Sequence, residues 1–269
     1  MATVTAVTSG KGGVGKTHLA VNLGVALAAR GERVCLFDAD TGLANANILL
    51  GASPRFTVEH VLSGERTLSE VLQPTPWDLT ILPGASGVAR CADLGPTARA
   101  QLVAALQGLE ERFDHLVVDT AAGVGAGVLD FVEAARFKVV VITPEPTSLT
   151  DAFSLLKLAR GRGTRGPFHL VVNRAADYAA SRRVYTRFRD AVRKYLKMEV
   201  GYLGYVAPDP AVEEAVRRQV PVLAHAPASP AGRCLDTLAE ILHWQFPRQA
   251  GAASFSAYWR ERAREGPAD

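Results

Sequence analysis

A glycine-rich segment near the amino terminus has residues suited to phosphate chemistry. Residues 9–17 read SGKGGVGKT and match the pattern GxxxxGK[ST]. Glycines let the backbone approach phosphate oxygens, and the amino end of a following helix adds partial positive charge. In such a loop Lys16 would reach the β- and γ-phosphates, and the hydroxyl of Thr17 would bind Mg²⁺. The alternative is a glycine-rich turn that only reverses the chain.

The residues of the glycine-rich segment that we expect to bind a nucleotide are consecutive in the sequence. The segment follows an apolar run of strand length and precedes an amphipathic stretch of helical length, which is the context that a phosphate-binding loop requires. The predicted nucleotide-binding residues here are Gly12, Gly13, Val14, Gly15, Lys16, Thr17 and His18.

Three aspartates end apolar segments elsewhere in the chain. Asp38 and Asp40 close the string FDAD, and Asp119 closes LVVD. Carboxylates at the carboxyl ends of parallel strands face the ligand crevice of an open α/β sheet, and Asp119 would hold Mg²⁺ there through water. The alternative for Asp38 and Asp40 is a pair of solvated turn residues that cap a helix.

The elements that must position these residues alternate along the chain in the pattern of βαβ units. The predicted strands are Thr3–Thr8, Arg33–Asp38, Leu79–Leu82, His115–Asp119, Lys138–Thr143, His169–Asn173 and Tyr202–Val206. The predicted helices are Thr17–Arg30, Thr97–Arg112, Val128–Arg136, Ser148–Arg160, Ser181–Lys197, Pro210–Arg218 and Ala231–Phe246. We therefore expect an α/β fold, a doubly wound, mostly parallel sheet flanked by helices, in a single domain over residues 1–247. Residues 248–269 would form a tail, and Ala52–Pro76 a helix–turn insertion.

The composition is that of an ordinary globular protein. The chain has 269 residues, of which 48% are hydrophobic and 21% charged, with a net charge of +3. This excludes wholesale disorder and by itself gives no argument for nucleic-acid binding. The three cysteines lie far apart without a CxxC, so no disulfide framework or metal site follows from their spacing. With no apolar run long enough to span a membrane and no signal peptide, we expect a cytoplasmic protein.

The first of the two lysines in the glycine-rich segment, Lys11, indicates a particular family. Only six of the thirty basic residues are lysines, yet two of them, Lys11 and Lys16, lie in this segment. The string GKGGVGKT resembles the deviant Walker A motif of the MinD/ParA group of P-loop ATPases, in which the early lysine reaches across a dimer to the partner's nucleotide. The resemblance implies ATP and Mg²⁺ as cofactors, an ATP-dependent homodimer and slow hydrolysis of ATP to ADP and phosphate.

The same resemblance implies roles for the charged residues. The catalytic residues would be Lys11, Lys16 and Asp40, with Asp40 positioning or deprotonating the attacking water. Lys11 would supply positive charge where the transferring phosphoryl group develops negative charge. The metal-site residues would be Thr17, Asp38 in the outer shell of the ion and Asp119 through water.

The identity of the base is predicted from two later segments. A guanine site typically has Asn-Lys-x-Asp after a strand, whereas here Asn173 is followed by Arg174 and the aspartate comes at position 177. Asn173, with Pro208 and Asp209, resembles the adenine pocket of MinD-like proteins, which favours ATP over GTP. The alternative for Asn173 is a turn or helix cap.

Three further strings resemble one branch of the group, the flagellar-placement FlhG/FleN (YlxH) proteins. They are DADTGLANANILLG (38–51), DTAAG (119–123) and TPEPTSLTDA (143–152), and the resemblance extends from Thr3 to Leu223. It implies FlhF-like GTPases or flagellar switch proteins as partners. The chain begins at the first strand without the activator helix of many FlhG proteins, so activation of the GTPase by that route is not expected. The alternative function is that of a ParA-type partition ATPase with ATP-dependent DNA binding.

Two partner surfaces are predicted before the tail. The helix Ser181–Lys197 carries seven Arg or Lys residues, among them Arg182 and Arg183, against one Asp. Its outer face would contact DNA phosphates, anionic lipid or an acidic partner, or would simply be a solvated charged face. By resemblance to MinD, Asp151 is a candidate partner contact; the alternative is an acid in the first turn of a helix.

The tail contains a candidate membrane anchor. Phe255, Tyr258 and Trp259 are spaced to share one face of a helix, with arginines nearby. An aromatic face beside a basic one is typical of an interfacial anchor, which would place the protein peripherally on the inner face of the cell membrane. The alternative is that this segment packs on the domain or frays.

Overall fold

The computed structural model describes residues 1–40, 45–84, 95–245 and 254–265. The strands of these residues are β1 (Thr3–Ser9), β2 (Val34–Ala39), β3 (Gln73–Pro74), β4 (Leu79–Leu82), β5 (His115–Ala122), β6 (Phe137–Ile142), β7 (Phe168–Asn173) and β8 (Val200–Val206). Their helices are α1 (Lys16–Ala28), α2 (Ala46–Leu49), α3 (Val58–Leu62), α4 (Leu68–Val71), α5 (Pro96–Arg112), α6 (Ala126–Ala134), α7 (Pro146–Gly161), α8 (Tyr178–Ala191), α9 (Pro210–Arg218), α10 (Val222–His225), α11 (Pro230–Gln245) and α12 (Phe255–Glu265). A π-helical turn, Val192–Leu196, continues α8.

The strands form one sheet in the order β3-β4-β2-β5-β1-β6-β7-β8. All neighbouring pairs are parallel except β3 with β4. The strand β1 lies between β5 and β6, so the loop that follows it opens at the middle of the carboxyl edge. The predicted α/β fold with a mostly parallel sheet in a single domain is confirmed.

Side chains of the central strands alternate between two helical layers. In β6, Val139 and Val141 join the core under α1, α9, α10 and α11, whereas Val140 and Ile142 join the core under α6, α7 and α8. A further core on this second face packs α3, α5 and α12 against β2 and β5. This burial on both faces explains why the strands are continuous apolar runs. No helix in the described part of the chain is long and apolar enough to cross a membrane.

The insertion expected over Ala52–Pro76 contains the short helices α3 and α4 and the antiparallel strand β3. Each helix begins with a capping box: Thr57 with His60, and Thr67 with Glu70. The Thr and its partner three residues later each satisfy a backbone N–H group that the helix itself leaves unpaired. The sequence analysis did not predict β3.

The helix α7 begins earlier than predicted, which corrects one interpretation of Asp151. The helix starts at Pro146 rather than at Ser148, because proline suits the first turn, where its missing N–H costs nothing. Asp151 therefore lies in the second turn, beyond the first-turn position that favours an acid. The hydroxyl of Ser148 instead accepts a hydrogen bond from the N–H of Thr143 (3.0 Å).

The aromatic residues of the tail are packed on the domain, which corrects the expectation of an exposed anchor face. Phe255 and Trp259 are buried, and the ring centroid of Trp259 lies 4.9 Å from that of Phe131 in α6. The hydroxyl of Tyr258 donates to Glu133 (3.2 Å). Burial of apolar rings stabilises this position more than exposure to water would. The packing alternative describes the structure.

The amino end of α12 is held by one buried carboxylate. Glu110 of α5 accepts hydrogen bonds from the backbone N–H groups of Phe255 (2.7 Å) and Ser256 (3.0 Å) and from the hydroxyl of Ser254 (3.2 Å). A negative charge at a helix amino terminus satisfies unpaired N–H groups and the helix dipole together. The domain boundary predicted after residue 247 lies outside the described residues and stays a prediction.

Candidate functional site

The glycine-rich loop connects β1 to α1 at the carboxyl edge of the sheet. Gly13 and Gly15 have φ values of +73° and +93°, a region that favours glycine. At Gly15 a Cβ atom would also come within 2.4 Å of Nδ2 of Asn173. Because Gly15 is the N-cap of α1 and has no capping side chain, the first N–H groups of the helix are available to an anion.

Two aspartates lie beside this loop on neighbouring strands. Asp38 of β2 pairs in register with Asp119 of β5, which also pairs with Val7 of β1. The carboxylate of Asp38 accepts hydrogen bonds from the N–H groups of Asp40 (3.1 Å) and Ala46 (3.3 Å). The register therefore brings both predicted metal-site aspartates to the strand ends around the loop.

The environment of these aspartates fits a cation. The pKa of Asp38 is raised to about 6 and that of Asp119 to about 7, in both mainly by burial and in Asp119 also by the charge of Asp38. Lys16, which is buried at the start of α1, acts in the opposite direction on both. The hydroxyl of Thr17, next to Lys16, also lowers the pKa of Asp119, so Thr17 lies beside this carboxylate. Buried, incompletely compensated carboxylates beside Thr17 are a donor set that suits Mg²⁺.

Asp40 directly follows β2, one residue beyond its end, and is half-buried. Its N–H group is tied to Asp38, so the backbone that carries it is fixed to the metal-site carboxylate. This places Asp40 at the same edge of the sheet as the loop. Its predicted role toward the attacking water stays a prediction.

A cleft of about 530 Å³ adjoins the loop and contains the predicted base-binding residues. Its lining includes Gly15, His18, Asn173, Pro208 and Asp209 from the prediction, together with Leu19, Asn22, Arg174, Val206 and Val212. Mostly apolar walls with a few polar groups are typical of a site for a flat heterocycle. The structure therefore brings these predicted residues together, while their roles in binding stay predictions.

Polar groups at this cleft also have structural duties. Nδ2 of Asn173 donates to the carbonyl of Val14 (2.7 Å), which fixes the phosphate loop to the end of β7. Burial would raise the pKa of Asp209, but N–H groups of Ala231 and Ala211, each at 2.9 Å, hold it below its usual value. Asp209 is thus the N-cap of α9 and also holds the start of α11.

His18 is held neutral beside the cleft. Burial lowers the pKa of this imidazole, and the nearby positive charge of Arg174 lowers it further. A neutral ring adds no charge to the wall of the cleft, which suits an uncharged base.

The two loop lysines have different surroundings. Nζ of Lys11 donates to Glu145 (2.7 Å) and to the hydroxyl of Thr147 (2.9 Å), and the Lys11 side chain is 36% exposed. This contact with Lys11 lowers the pKa of Glu145. Lys16, in contrast, is only 6% exposed. The loop thus directs one lysine inward and leaves the other at the surface.

The sequence analysis did not name Glu145 and Thr147, although both lie in the TPEPTSLTDA string. Proline on each side of Glu145 was a signal that this short segment has a fixed shape. Asn22 and Arg174 were also missed as cleft residues. The helical spacing of His18 and Asn22 placed both on one face of α1 and was a usable signal for Asn22.

The loop and α7 touch through their backbones. A Cβ atom at Gly10 would lie 2.2 Å from the carbonyl carbon and oxygen of Asp151, so only glycine fits there. A shift of the loop toward α7 at Gly10 would therefore be blocked by this helix. The side chain of Asp151 is half-buried, and its predicted role as a partner contact stays a prediction.

The basic helix, which is α8 with its π-helical continuation, carries fewer unpaired charges than its sequence predicts. Arg189 pairs with Asp190 (2.8 Å) and Arg193 with Glu199 (3.3 Å). Arg182 stacks over the rings of two tyrosines, 5.1 Å from that of Tyr185 and 4.7 Å from that of Tyr202. The basic residues of this helix and its π-helical continuation that are exposed to solvent include Arg183, Arg187, Arg193 and Lys194. The exposed face of this helix stays a candidate for contact with DNA, anionic lipid or an acidic partner, but it has fewer unpaired positive charges than predicted.

The fold and the loop together define a P-loop nucleotide-binding protein of the α/β class. Residues 5–222 match the family model described as the CobQ/CobB/MinD/ParA nucleotide binding domain. The chain belongs to this family, whose MinD/ParA members are P-loop ATPases.

Similar proteins point to the MinD-like part of this family. The chain is 38% identical to the antiactivator FleN of Pseudomonas aeruginosa over 266 residues, which is 98% of this chain and 94% of that protein. It is 32% identical to the flagellum site-determining protein YlxH of Helicobacter pylori over 238 residues, 88% of this chain and 80% of that protein. The septum site-determining protein MinD of Pyrococcus horikoshii, solved with Mg-ADP, superposes with a TM-score of 0.74 at 24% identity and covers 94% of this chain and 100% of its own. The predicted resemblance to MinD-like ATPases is confirmed.

Proposed function

We propose that this protein is a Mg-ATP-dependent switch, in which an ATP-bound homodimer alternates with an ADP-bound or nucleotide-free monomer. The contrast between the two loop lysines carries the proposal. Lys16 is buried at the start of α1, where it serves the nucleotide of its own subunit. Lys11 lies at the surface in the loop, in contact with Glu145 at the start of α7, where it is accessible to a second copy. A lysine supplied in this way acts as an arginine finger does.

The residues that hold ATP come from one subunit. The N–H groups of Gly12–Thr17 bind the phosphates, and Lys16 neutralises part of their charge. Thr17, Asp38 and Asp119 hold Mg²⁺, which when bound offsets charge on the β- and γ-phosphate oxygens. The complex of a relative with Mg-ADP supports this choice of ligand.

Hydrolysis uses two further residues. Asp40 orients the attacking water and takes its proton as the water oxygen bonds to the γ-phosphorus, while the bond from that phosphorus to the bridging oxygen breaks and ADP leaves. The partner's Lys11 stabilises the negative charge that develops on that group. Because Lys11 must first leave Glu145, formation of the dimer and of the complete catalytic site are coupled. Turnover is slow, since a switch needs a long-lived ATP state.

The cellular role that we propose is control of flagellar number or placement. The name of YlxH, a flagellum site-determining protein, supports this role. The similarity to FleN, which extends over 94% of that protein, supports it as well. We infer that the partners are FlhF-like GTPases or flagellar switch proteins, and that the protein works in the cytoplasm. Genomic proximity of this gene to flagellar genes is the simplest check; proximity to partition genes instead would favour the alternative role.

Solution mass tests the switch. With a non-hydrolysable ATP analogue and Mg²⁺, we expect the wild type to double its mass, and with ADP to stay a monomer. Asp40→Ala should hydrolyse ATP much more slowly and accumulate the dimer with ATP itself. Lys11→Ala should bind ATP yet lose hydrolysis. If Asp40→Ala neither slows hydrolysis nor accumulates a dimer, the role of Asp40 is wrong.

The alternative function is a partition-type ATPase that binds DNA through the basic helix. The exposed cations Arg183, Arg187 and Lys194 favour it, since they are spaced along one element. Binding to duplex DNA in the ATP state should then fall steeply with salt. Arg183→Glu should weaken it, whereas Arg217→Glu, on α9, should not. Absence of DNA binding at low salt with ATP would contradict this alternative function.

A peripheral membrane location requires α12 to leave the domain. Phe255 and Trp259 are buried against α6, so they reach lipid only after the hydrogen bonds to Glu110 break. We propose that the ATP-bound state favours this release. Co-sedimentation with anionic vesicles should increase with ATP and increase further in Glu110→Gln. Equal sedimentation of the full chain and of a chain ending at Gln245 would contradict it.

A further inference from the structure

We propose that Glu32, His115 and His243 form a binding site for a divalent transition-metal ion of the zinc class. Glu32 lies between α1 and β2, His115 is the first residue of β5, and His243 lies near the end of α11. One ligand atom from each, a carboxylate oxygen or a ring nitrogen, lies within 4.8 Å of those of the other two. Three segments far apart in the sequence thus present two imidazoles and a carboxylate to one point.

The spacing of the ligand atoms fits tetrahedral coordination. Nδ1 of His243 lies 3.4 Å from Oε1 of Glu32, and Nε2 of His115 lies 3.8 Å from Oε2 of Glu32. Ligands held about 2.1 Å from Zn²⁺ at tetrahedral angles are separated by about 3.4 Å. Each histidine nitrogen therefore lies at or slightly beyond this separation from one oxygen of the carboxylate, and the two nitrogens are next to different oxygens. Small rotations of the side chains would complete the geometry.

One buried nitrogen of the His243 ring makes no hydrogen bond within the described residues. This nitrogen, Nδ1, is shielded from solvent, and a carboxylate oxygen lies 3.4 Å away. A buried polar atom normally has a partner, and its exceptions call for an explanation such as an ion. His115 is itself buried, so two poorly hydrated nitrogens face the carboxylate. A cation between them would give Nδ1 of His243 a partner.

The donor set selects the class of metal. Imidazole nitrogens with one carboxylate suit Zn²⁺, whereas Mg²⁺ prefers oxygen ligands alone. His₂Glu leaves a fourth position that water can fill, since Glu32 and His243 are only partly buried.

The site lies at the opposite end of the sheet from the nucleotide cleft. His115 begins β5, whereas Asp119 of the nucleotide site lies toward its other end. A metal ion here would fasten the end of α11 to the starts of β2 and β5. Its expected effect is therefore on stability, not on the chemistry of ATP.

Zinc titration of protein without an affinity tag tests the proposal directly. Excess Mg-ADP should be present throughout, so that the nucleotide site is filled. Trp244 is 72% exposed, and its ring lies 5.1 Å from that of His243, so its fluorescence is a local reporter. Calorimetry gives stoichiometry and affinity independently, and the thermal midpoint reports linked stability.

The variants Glu32→Gln and His243→Gln remove single ligands, and His225→Gln, on α10, is the matched control. We expect one zinc ion per wild-type chain, the same affinity in the control, and a loss of roughly tenfold or more in each ligand variant. Circular dichroism before titration shows that each variant is folded. No saturable zinc binding by the wild type, or binding unchanged in both ligand variants, would overturn the proposal.

Discussion

At the scale of single residues, the two buried aspartates combine a cost in stability with a use in binding. Asp119 is buried, and Lys16 only partly offsets the cost of its charge, so a bound cation would stabilise the carboxylate further. The functional site is therefore a place where the nucleotide-free protein is less stable than its fold allows. Asp119→Asn tests this compromise.

We expect Asp119→Asn to stabilise the nucleotide-free protein increasingly as pH rises. The pKa of Asp119 is about 7 in the folded state, against 3.8 as the reference value. Between these values the folded form retains a proton that the unfolded form has lost, so wild-type stability falls as pH rises. The advantage of the variant should grow by at most about 3 kcal/mol between pH 5 and pH 8.

Urea unfolding in EDTA at both pH values measures this difference. Glu261→Gln, an exposed carboxyl, is the control and should show no such trend. The same Asp119→Asn protein should lose Mg²⁺-dependent nucleotide binding. An advantage that is equal at pH 5 and pH 8 would contradict the burial of a charge at this position.

Release of Lys11 from its own subunit is a second residue-scale prediction. Glu145→Ala removes the carboxylate that holds Nζ of Lys11 while the nucleotide is absent. If Lys11 serves the partner without help from Glu145, the variant should dimerise with the ATP analogue at a protein concentration lower by roughly two- to fivefold, the range expected for an exposed ion pair. Sedimentation across a concentration series measures it. Weaker dimerisation would show that Glu145 contributes to the dimer itself.

At the scale of elements, α12 is part of the folded domain. Trp259 is 1% exposed and packs against Phe131, whereas Trp244 near the end of α11 is exposed. Trp259→Ala should therefore lower the free energy of unfolding by about 3–5 kcal/mol. Trp244→Ala is the matched control and should change it by less than about 0.5 kcal/mol. Equal small effects in denaturant unfolding would mean that α12 is not docked in solution.

Local sequence predicted most elements correctly, and the exceptions have physical reasons. The loop at 9–17, β1 and α1 follow from glycine placement and apolar periodicity, which are properties of neighbouring residues. The docking of α12 depends on Glu110, 145 positions before Phe255, so no local pattern contains it. An aromatic helical face is equally suited to lipid and to a protein core, and only the tertiary structure distinguishes them.

The candidate site likewise combines residues that local sequence predicts with contacts that only the tertiary structure shows. The phosphate loop and the three aspartates follow from strand ends, because a parallel sheet gathers such positions at one edge. The contact of Lys11 with Glu145 joins residues 134 positions apart. The cluster of Glu32, His115 and His243 unites three segments, each of which has only one ligand. Such contacts are set by how the layers pack.

At the scale of the whole molecule, the account requires a site shared between two subunits. Each subunit would supply Asp40 to its own nucleotide and Lys11 to that of its partner. Because the two subunits are related by a two-fold axis, each makes the same contributions to the other. Loss of Asp40 therefore impairs the nucleotide site of the same subunit, whereas loss of Lys11 impairs that of the partner. Mixed dimers can therefore separate the two roles.

The most direct test is the ATPase activity of Lys11→Ala mixed with Asp40→Ala. Each variant alone should be nearly inactive, but half of the dimers in an equal mixture would contain one of each subunit. One of the two sites in such a dimer has both Asp40 and the partner's Lys11, so activity should recover to about a quarter of the wild-type value. If Lys11 acts only within its own subunit, no mixed dimer contains a complete site. Absence of recovery at every mixing ratio would contradict the shared site.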